Sequence, residues 1–243
     1  MMRTANPALN ANVFRNAAAV QSDSVMTLEG TVNKTAMSVV LTIIAAYWGW
    51  TSPAVLSFYI PIIIGTFVIA IALYFKQTWA PVLTPVYALA EGAMLGAISA
   101  LFETRYPGIV VQAVGLTFGT LFSLLMAYKT GWIKATENFK LGVFAATGAI
   151  GLFYLGSMLL SLFGVGTNFL ASSSLLSIGI SAVVVVVAAL NLVLDFDFIE
   201  QASANGRTPK YMEWYAAFGL LVTLVWLYLE ILRMLAKIAD NRR

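Results

Sequence analysis

No charged residue interrupts this chain from Thr35 to Phe75, from Tyr106 to Tyr128, or from Leu141 to Leu194. A bilayer span takes roughly 20 predominantly apolar residues, so each stretch accommodates one or two spanning helices. Between Lys76 and Glu103 a single charge, Glu91, breaks another such run. Only 10% of the residues are charged and 60% are hydrophobic, whereas a soluble domain carries about 25% charged residues. Too little polar surface is available to cover a globule. The expected class is an all-α integral membrane protein whose first partner is the lipid bilayer.

The punctuation predicts seven helices. The first covers about Ala36 to Trp50 and stops at Thr51-Ser52-Pro53. The second covers about Val55 to Phe75, with Pro61 and Gly65 inside it. The third is about Ala80 to Phe102, and the fourth about Ile109 to Tyr128, after the breaker Tyr106-Pro107-Gly108. The fifth, about Leu141 to Phe163, ends at Gly164-Val165-Gly166. The sixth is about Ser174 to Leu194 and the seventh about Trp214 to Ala236. Pro and Gly at the junctions are the expected breakers. The domain plan is a polar mobile tail (1–25), one transmembrane domain (26–237) and a short basic tail (238–243). The tail has no apolar core of the kind a secretory signal needs, and Met26 to Lys34 opens the first helix a turn or two before the membrane.

Basic residues vote on topology. Nine lie on the N-terminal side (Arg3, Arg15, Lys34, Lys76, Lys129, Lys134, Lys140, Arg207, Lys210) and five on the other (Arg105, Arg233, Lys237, Arg242, Arg243). The positive-inside rule places the N-terminus in the cytoplasm and the protein in the cytoplasmic membrane. Gly92-x-x-x-Gly96 and Gly115-x-x-x-Gly119 each set two glycines on one helix face for close packing, and Gly148, Gly151 and Gly156 crowd the fifth helix. Trp48, Trp50, Trp79, Trp132 and Trp214 fall near span ends and read as interfacial anchors.

The chain has no cysteine and no histidine. That removes disulfides, histidine-based metal centres and Ser-His-Asp or Cys-His catalysis. No phosphate-cradling loop or nucleic-acid motif is present, and no enzyme activity or cofactor is expected. Carboxylates are the chemistry that remains. Asp23, Glu29, Glu137, Glu200 and Asp240 fall in tails or loops, and Glu103 and Arg105 are placed to pair. Five acids stand out. Glu91 sits halfway along its span, where a charge costs several kcal/mol unless protonated, paired or wetted. Asp195 and Asp197 end the sixth helix, where the macrodipole disfavours negative charge and two close carboxylates repel; both effects favour holding a proton or a cation. Glu213 opens the seventh helix on the same side. Glu230 lies deeper in it, with Arg233 three residues on and on the same face, as a pair or a snorkelling cation.

Rival classes fail on residues. A retinal protein needs a lysine inside the last helix, but Lys210 and Lys237 flank it. A serine intramembrane protease needs histidine. An intramembrane aspartyl protease needs an aspartate in a Gly-x-Gly-Asp setting, which neither Asp195 nor Asp197 has.

Several segments together resemble the Bax inhibitor family. The third helix reads Tyr87-Ala-Leu-Ala-Glu91-Gly92-Ala-Met-Leu-Gly96-Ala-Ile-Ser99, like the family's Glu-Gly helix. The sixth leaves through Leu194-Asp195-Phe196-Asp197-Phe198-Ile199-Glu200. The seventh reads Met212-Glu213-Trp214-Tyr215-Ala216-Ala217-Phe218-Gly219, then Trp226-Leu-Tyr-Leu-Glu230-Ile-Leu-Arg233. The lead-in Met26 to Thr35 looks like that of a bacterial branch. The resemblance implies a seven-transmembrane-helix bundle with the last helix near its centre, and a pH-sensitive calcium leak. It also implies two aspartates on the last two helices that share a proton. Asp195 or Asp197 matches the first, and Thr223 falls where the second would stand.

The leading expectation is therefore a proton-modulated calcium leak channel, with Ca²⁺ as the permeant ion and protons as the regulator. Glu91 serves the ion pathway, and Asp195 and Asp197 form the sensor and transient Ca²⁺ ligands, as hard oxygen donors do. Glu213 lies close by. The alternatives are a non-transporting regulator of a membrane protease, contacted through the tail, and a proton-coupled transporter. Transporters of that kind show broken helices in both halves. Here the interruptions (Pro61, Gly65, Pro81, Pro85) all fall in the first.

Overall fold

The structure, a computed structural model, describes residues 25–52, 54–163 and 172–242. Among these there are eight α-helices: α1 (Leu28–Thr51), α2 (Ala54–Ser57), α3 (Tyr59–Phe75), α4 (Ala80–Arg105), α5 (Ile109–Lys129), α6 (Glu137–Leu162), α7 (Leu175–Ala204) and α8 (Met212–Asn241). A 3₁₀ turn, Gln77–Trp79, leads into α4. Among the described residues the extended contact is one isolated antiparallel bridge, Val25 to Pro209. The expected tail over 1–24, the stops at Pro53 and at Gly164-Val165-Gly166, and Arg243 lie outside the described residues.

Five of the helices are long and apolar enough to cross a membrane: α4 with its 3₁₀ lead-in, α5, α6, α7 and α8. At about 1.5 Å per residue, α3 with its 17 residues is shorter than a full span. The fold is all-helical, and the protein is a multi-pass membrane protein. Large apolar side chains stand outward along these helices, among them Val111, Leu152, Met158 and Leu175. Such faces suit hydrocarbon rather than water. Of the five, α8 is the most buried, with 78% of its apolar window inside the protein.

Local chemistry sets the helix ends. Thr27 caps α1 by accepting from the Gly30 amide, and Thr136 caps α6 by accepting from Phe139. Ahead of α5, Gly108 takes φ +85°, a left-handed conformation that a side chain disfavours. Two ends differ from expectation. Instead of stopping at Leu194, α7 runs on to Ala204. Its buried positions continue without a break as Leu194, Asp195, Phe198, Ile199 and Ala202, the i, i+1, i+4, i+5, i+8 spacing of one helix face. The residues expected as a basic tail from 238 are likewise the end of α8, which is helical through Asn241.

The chain forms two compact units. The first takes the described residues of Met1–Arg105 together with Asp195–Val222; the second takes Tyr106–Leu194 and Thr223–Arg243. In the first unit α1 and α4 meet backbone to backbone. A Cβ placed on Gly92 would run into the Thr42 carbonyl, one on Gly96 into that of Ala46, and one on Gly49 into that of Ala93. Ala45, Val55, Ala93 and Ala97 form the small-residue core beside this seam, covered by Ile62. Another face of α4 meets the first turns of α8. There Tyr87 sets its ring edge-on to Phe218 at 4.9 Å, and the Thr84 hydroxyl donates to the Trp214 carbonyl at 3.1 Å. In the second unit side-chain hydrogen bonds tie α6 to α7 (Asn191 to Thr147, 2.8 Å) and α7 to α8 (Lys237 to Ser181, 2.8 Å).

The second glycine pair behaves differently. A Cβ on Gly115 or Gly119 meets nothing within 4 Å, and the same holds for Gly148, Gly151 and Gly156. These glycines do not carry helix packing among the described residues. α5 and α6 turn most of their surface outward.

Candidate functional site

Four of the five prominent acids fall in the first unit: Glu91, Asp195, Asp197 and Glu213. Glu230 and its neighbour Arg233 fall in the second.

Glu91 lies near the middle of α4 and is 7% exposed. Every residue from Glu91 to Ala97 is buried, because α1 closes on the Gly92 and Gly96 face while α8 packs on the Tyr87 face. Among the described residues no side chain donates a hydrogen bond to Glu91 and no cation pairs with it.

The sequence places Asp195 and Asp197 together at a helix end; the structure separates them. They sit inside α7, two residues apart, and positions i and i+2 of a helix do not face each other. Asp195 belongs to the buried stripe and is 0% exposed, not solvated. Asp197 is half-buried on another face, where the Gln201 amide donates to it at 2.6 Å. The macrodipole argument for these two therefore does not apply, since more than a turn of helix follows them. Neither do they face each other as a proton-sharing pair. Thr223, where the resemblance sets a second aspartate, is 3% exposed in α8. Among the described residues no group of three or more acids converges as a metal site would require. The donor set that Asp195 or Asp197 begins for Ca²⁺ is not completed by further carboxylates.

Glu213, in the first turn of α8, is the most elaborately held acid. Its side chain is fully buried. The amide and the hydroxyl of Thr27 both donate to Oε1, each at 3.0 Å. Lys210 Nζ lies 3.5 Å from Oε1, and Lys34 Nζ lies 3.6 Å from Oε2. The Lys34 ammonium also stands 5.8 Å above the Trp214 ring, so this half-buried tryptophan carries a contact in addition to any role at the interface. Thr27 is the N-cap of α1. In a capping box the N-cap amide is satisfied by a Glu or Gln three residues on; here a carboxylate 186 residues away does it. The fit requires Gly30, where any Cβ would collide with the Glu213 carboxylate. Just ahead of α8, burial pushes the Tyr211 phenol pKa above its ordinary value.

In the second unit Glu230 is 2% exposed and surrounded by donors. Arg233 Nη1 is 2.9 Å from Oε1, Trp226 Nε1 is 3.3 Å from it, and the Tyr154 hydroxyl is 3.1 Å from both oxygens. The Glu230–Arg233 pair follows from their spacing. Tyr154 comes from α6, and nothing in the local sequence announces it. Thr27, Lys34 and Lys210 also escape a linear reading, although Lys210 stands three residues before Glu213 and Thr27 and Lys34 lie in the lead-in.

The sequence matches the Bax inhibitor 1 like family over residues 6–240, almost the whole chain. The chain belongs to that family. Membership joins the Glu-Gly helix α4 and the acid-bearing ends of α7 and α8 to a known membrane-protein family. No curated protein matches the chain, and no solved structure does.

Proposed function

We propose that this Bax inhibitor 1 like protein is a pH-sensitive calcium leak of the cytoplasmic membrane, with seven membrane-crossing helices and a cytoplasmic N-terminus. The observation that carries the reading is the burial of two carboxylates, Glu91 and Asp195, within long apolar helices of one compact unit in a chain of this family. Ionisable groups inside spans are expensive and mark ion or proton pathways by default. Glu91 serves as the pathway acid and Asp195 as the buried sensor, with Asp197 as the more accessible acid beside it. As pH falls, protonation removes the negative charge of these groups and weakens their attraction for a cation.

Calcium flux into proteoliposomes tests the assignment. Glu91→Gln lowers flux, and Asp195→Asn removes its pH dependence while Asp197→Asn only reduces it. Wild-type flux that none of these substitutions changes would sink the roles given to these residues.

A further inference from the structure

The turn between α7 and α8 is held in three ways by short-range chemistry. Midway along it the Thr208 hydroxyl donates to the Ala202 carbonyl at 2.9 Å, tying the turn back to the end of α7. There too the lead-in to α1 lies across it. Val25 bridges Pro209, and the Met26 amide donates to the Thr208 carbonyl at 2.7 Å. Met26 and Thr208 are each only 2% exposed. At its far end Glu213 grips Thr27 and Lys34, with Lys210 alongside. One isolated bridge is too little backbone pairing to persist in water alone. Beside the buried Met26 side chain, the carboxylate adds the polar hold on this contact. Its two ammonium partners remain reachable, at 25% exposure for Lys34 and 51% for Lys210, whereas the α1–α4 seam below is closed backbone to backbone. The lead-in can therefore part from the turn without the seam opening.

We propose that residues 25–34 form a strap that locks the α7–α8 turn, with Glu213 as its anchor, and that opening the strap frees the end of α7 that carries Asp195 and Asp197, raising cation flux. The coupling to flux rests on the leak reading above; the strap itself does not.

The chain has no native cysteine, so introduced thiols report without background. Bridged antiparallel residues have Cα atoms roughly 4.5–5.5 Å apart, within reach of a disulfide. The double variant Val25→Cys/Pro209→Cys, reconstituted in proteoliposomes, is expected to carry several-fold less calcium when oxidised than after reduction. Separately, the single variant Met26→Cys is labelled with a maleimide in the full-length protein. Adding Glu213→Gln is expected to raise the labelling rate about tenfold or more, as losing hydrogen bonds to a charged group should. Adding Glu29→Gln, at an exposed residue of the same segment, leaves it unchanged. Should Glu213→Gln fail to fold, Lys34→Gln takes its place in the labelling. If wild-type protein carries flux and the disulfide forms without changing it, the gating role is overturned. If wild type carries no flux, the leak reading fails, and labelling alone decides the strap. Unchanged labelling in both Glu213→Gln and Lys34→Gln overturns the anchor.

Discussion

Glu213 and Glu230 are both buried acids beside cations, yet their partners differ in a way that predicts different mutational costs. Glu213 answers the N-cap of a helix distant in sequence, so Glu213→Ala leaves the Thr27 amide and two ammonium groups without their acceptor. Losing hydrogen bonds to a charged group costs about 1.5–3 kcal/mol, and water offsets part of what the two reachable ammoniums lose. A clear fall in the detergent unfolding temperature of Glu213→Ala, and a smaller one for Glu213→Gln, is expected. Glu230 is 2% exposed while its partner Arg233 is 49% exposed. Water can replace what Arg233 loses but not what Glu230 loses. Arg233→Ala, which strands the buried Glu230, should accordingly cost more than Glu230→Ala, and Tyr154→Phe about 1 kcal/mol, in the same melting assay. The contrast also marks what is legible in a sequence. The Glu230–Arg233 pair is readable because helix geometry alone sets it. The Glu213 cluster is not, since Thr27 and Lys34 reach it from a distant part of the sequence.

Helix packing separates two glycine pairs that look alike in the sequence. Gly92 and Gly96 hold the Glu91 helix against the carbonyls of α1, whereas Gly115 and Gly119 face open space. Gly96→Leu should disrupt the first unit, since overpacking typically costs about 1–3 kcal/mol and here meets backbone that cannot give. Gly115→Ala should be neutral or stabilising by about 0.5–1 kcal/mol, as an interior helix position gains from losing glycine. Thermal melts of the two variants side by side check both. The end of α7 departs from the sequence expectation for a related reason. Asp-Phe-Asp-Phe-Ile-Glu looks like a helix leaving the membrane because its charge rises abruptly. The apolar stripe nevertheless continues through Phe198, Ile199 and Ala202 and takes Asp195 with it. Charge density gave the wrong stop; periodicity would have given the right one.

At the scale of the molecule, the helical class, the places where most helices begin and the family were legible in the uncharged stretches and the Glu-Gly motif. How the chain sorts into two units was not, because α7 and α8 each change unit part-way along, after Leu194 and after Val222, with no break in helix to mark it. Deleting residues 1–24 leaves the strap and the five prominent acids, Glu91, Asp195, Asp197, Glu213 and Glu230, in place. Under the leak reading such a protein keeps its calcium flux in proteoliposomes, whereas a regulator acting through that segment would lose its effect. The bond from Thr27 to Glu213 also bears on biogenesis. Glu213 is made 186 residues after Thr27, so α1 waits through the synthesis of α2 to α7 for the acid that completes its cap. A chain released before α8 would carry a Thr27 amide without its acceptor and two unmatched lysines, Lys34 and Lys210. That is a chemical difference by which membrane quality control can tell an unfinished copy from a finished one.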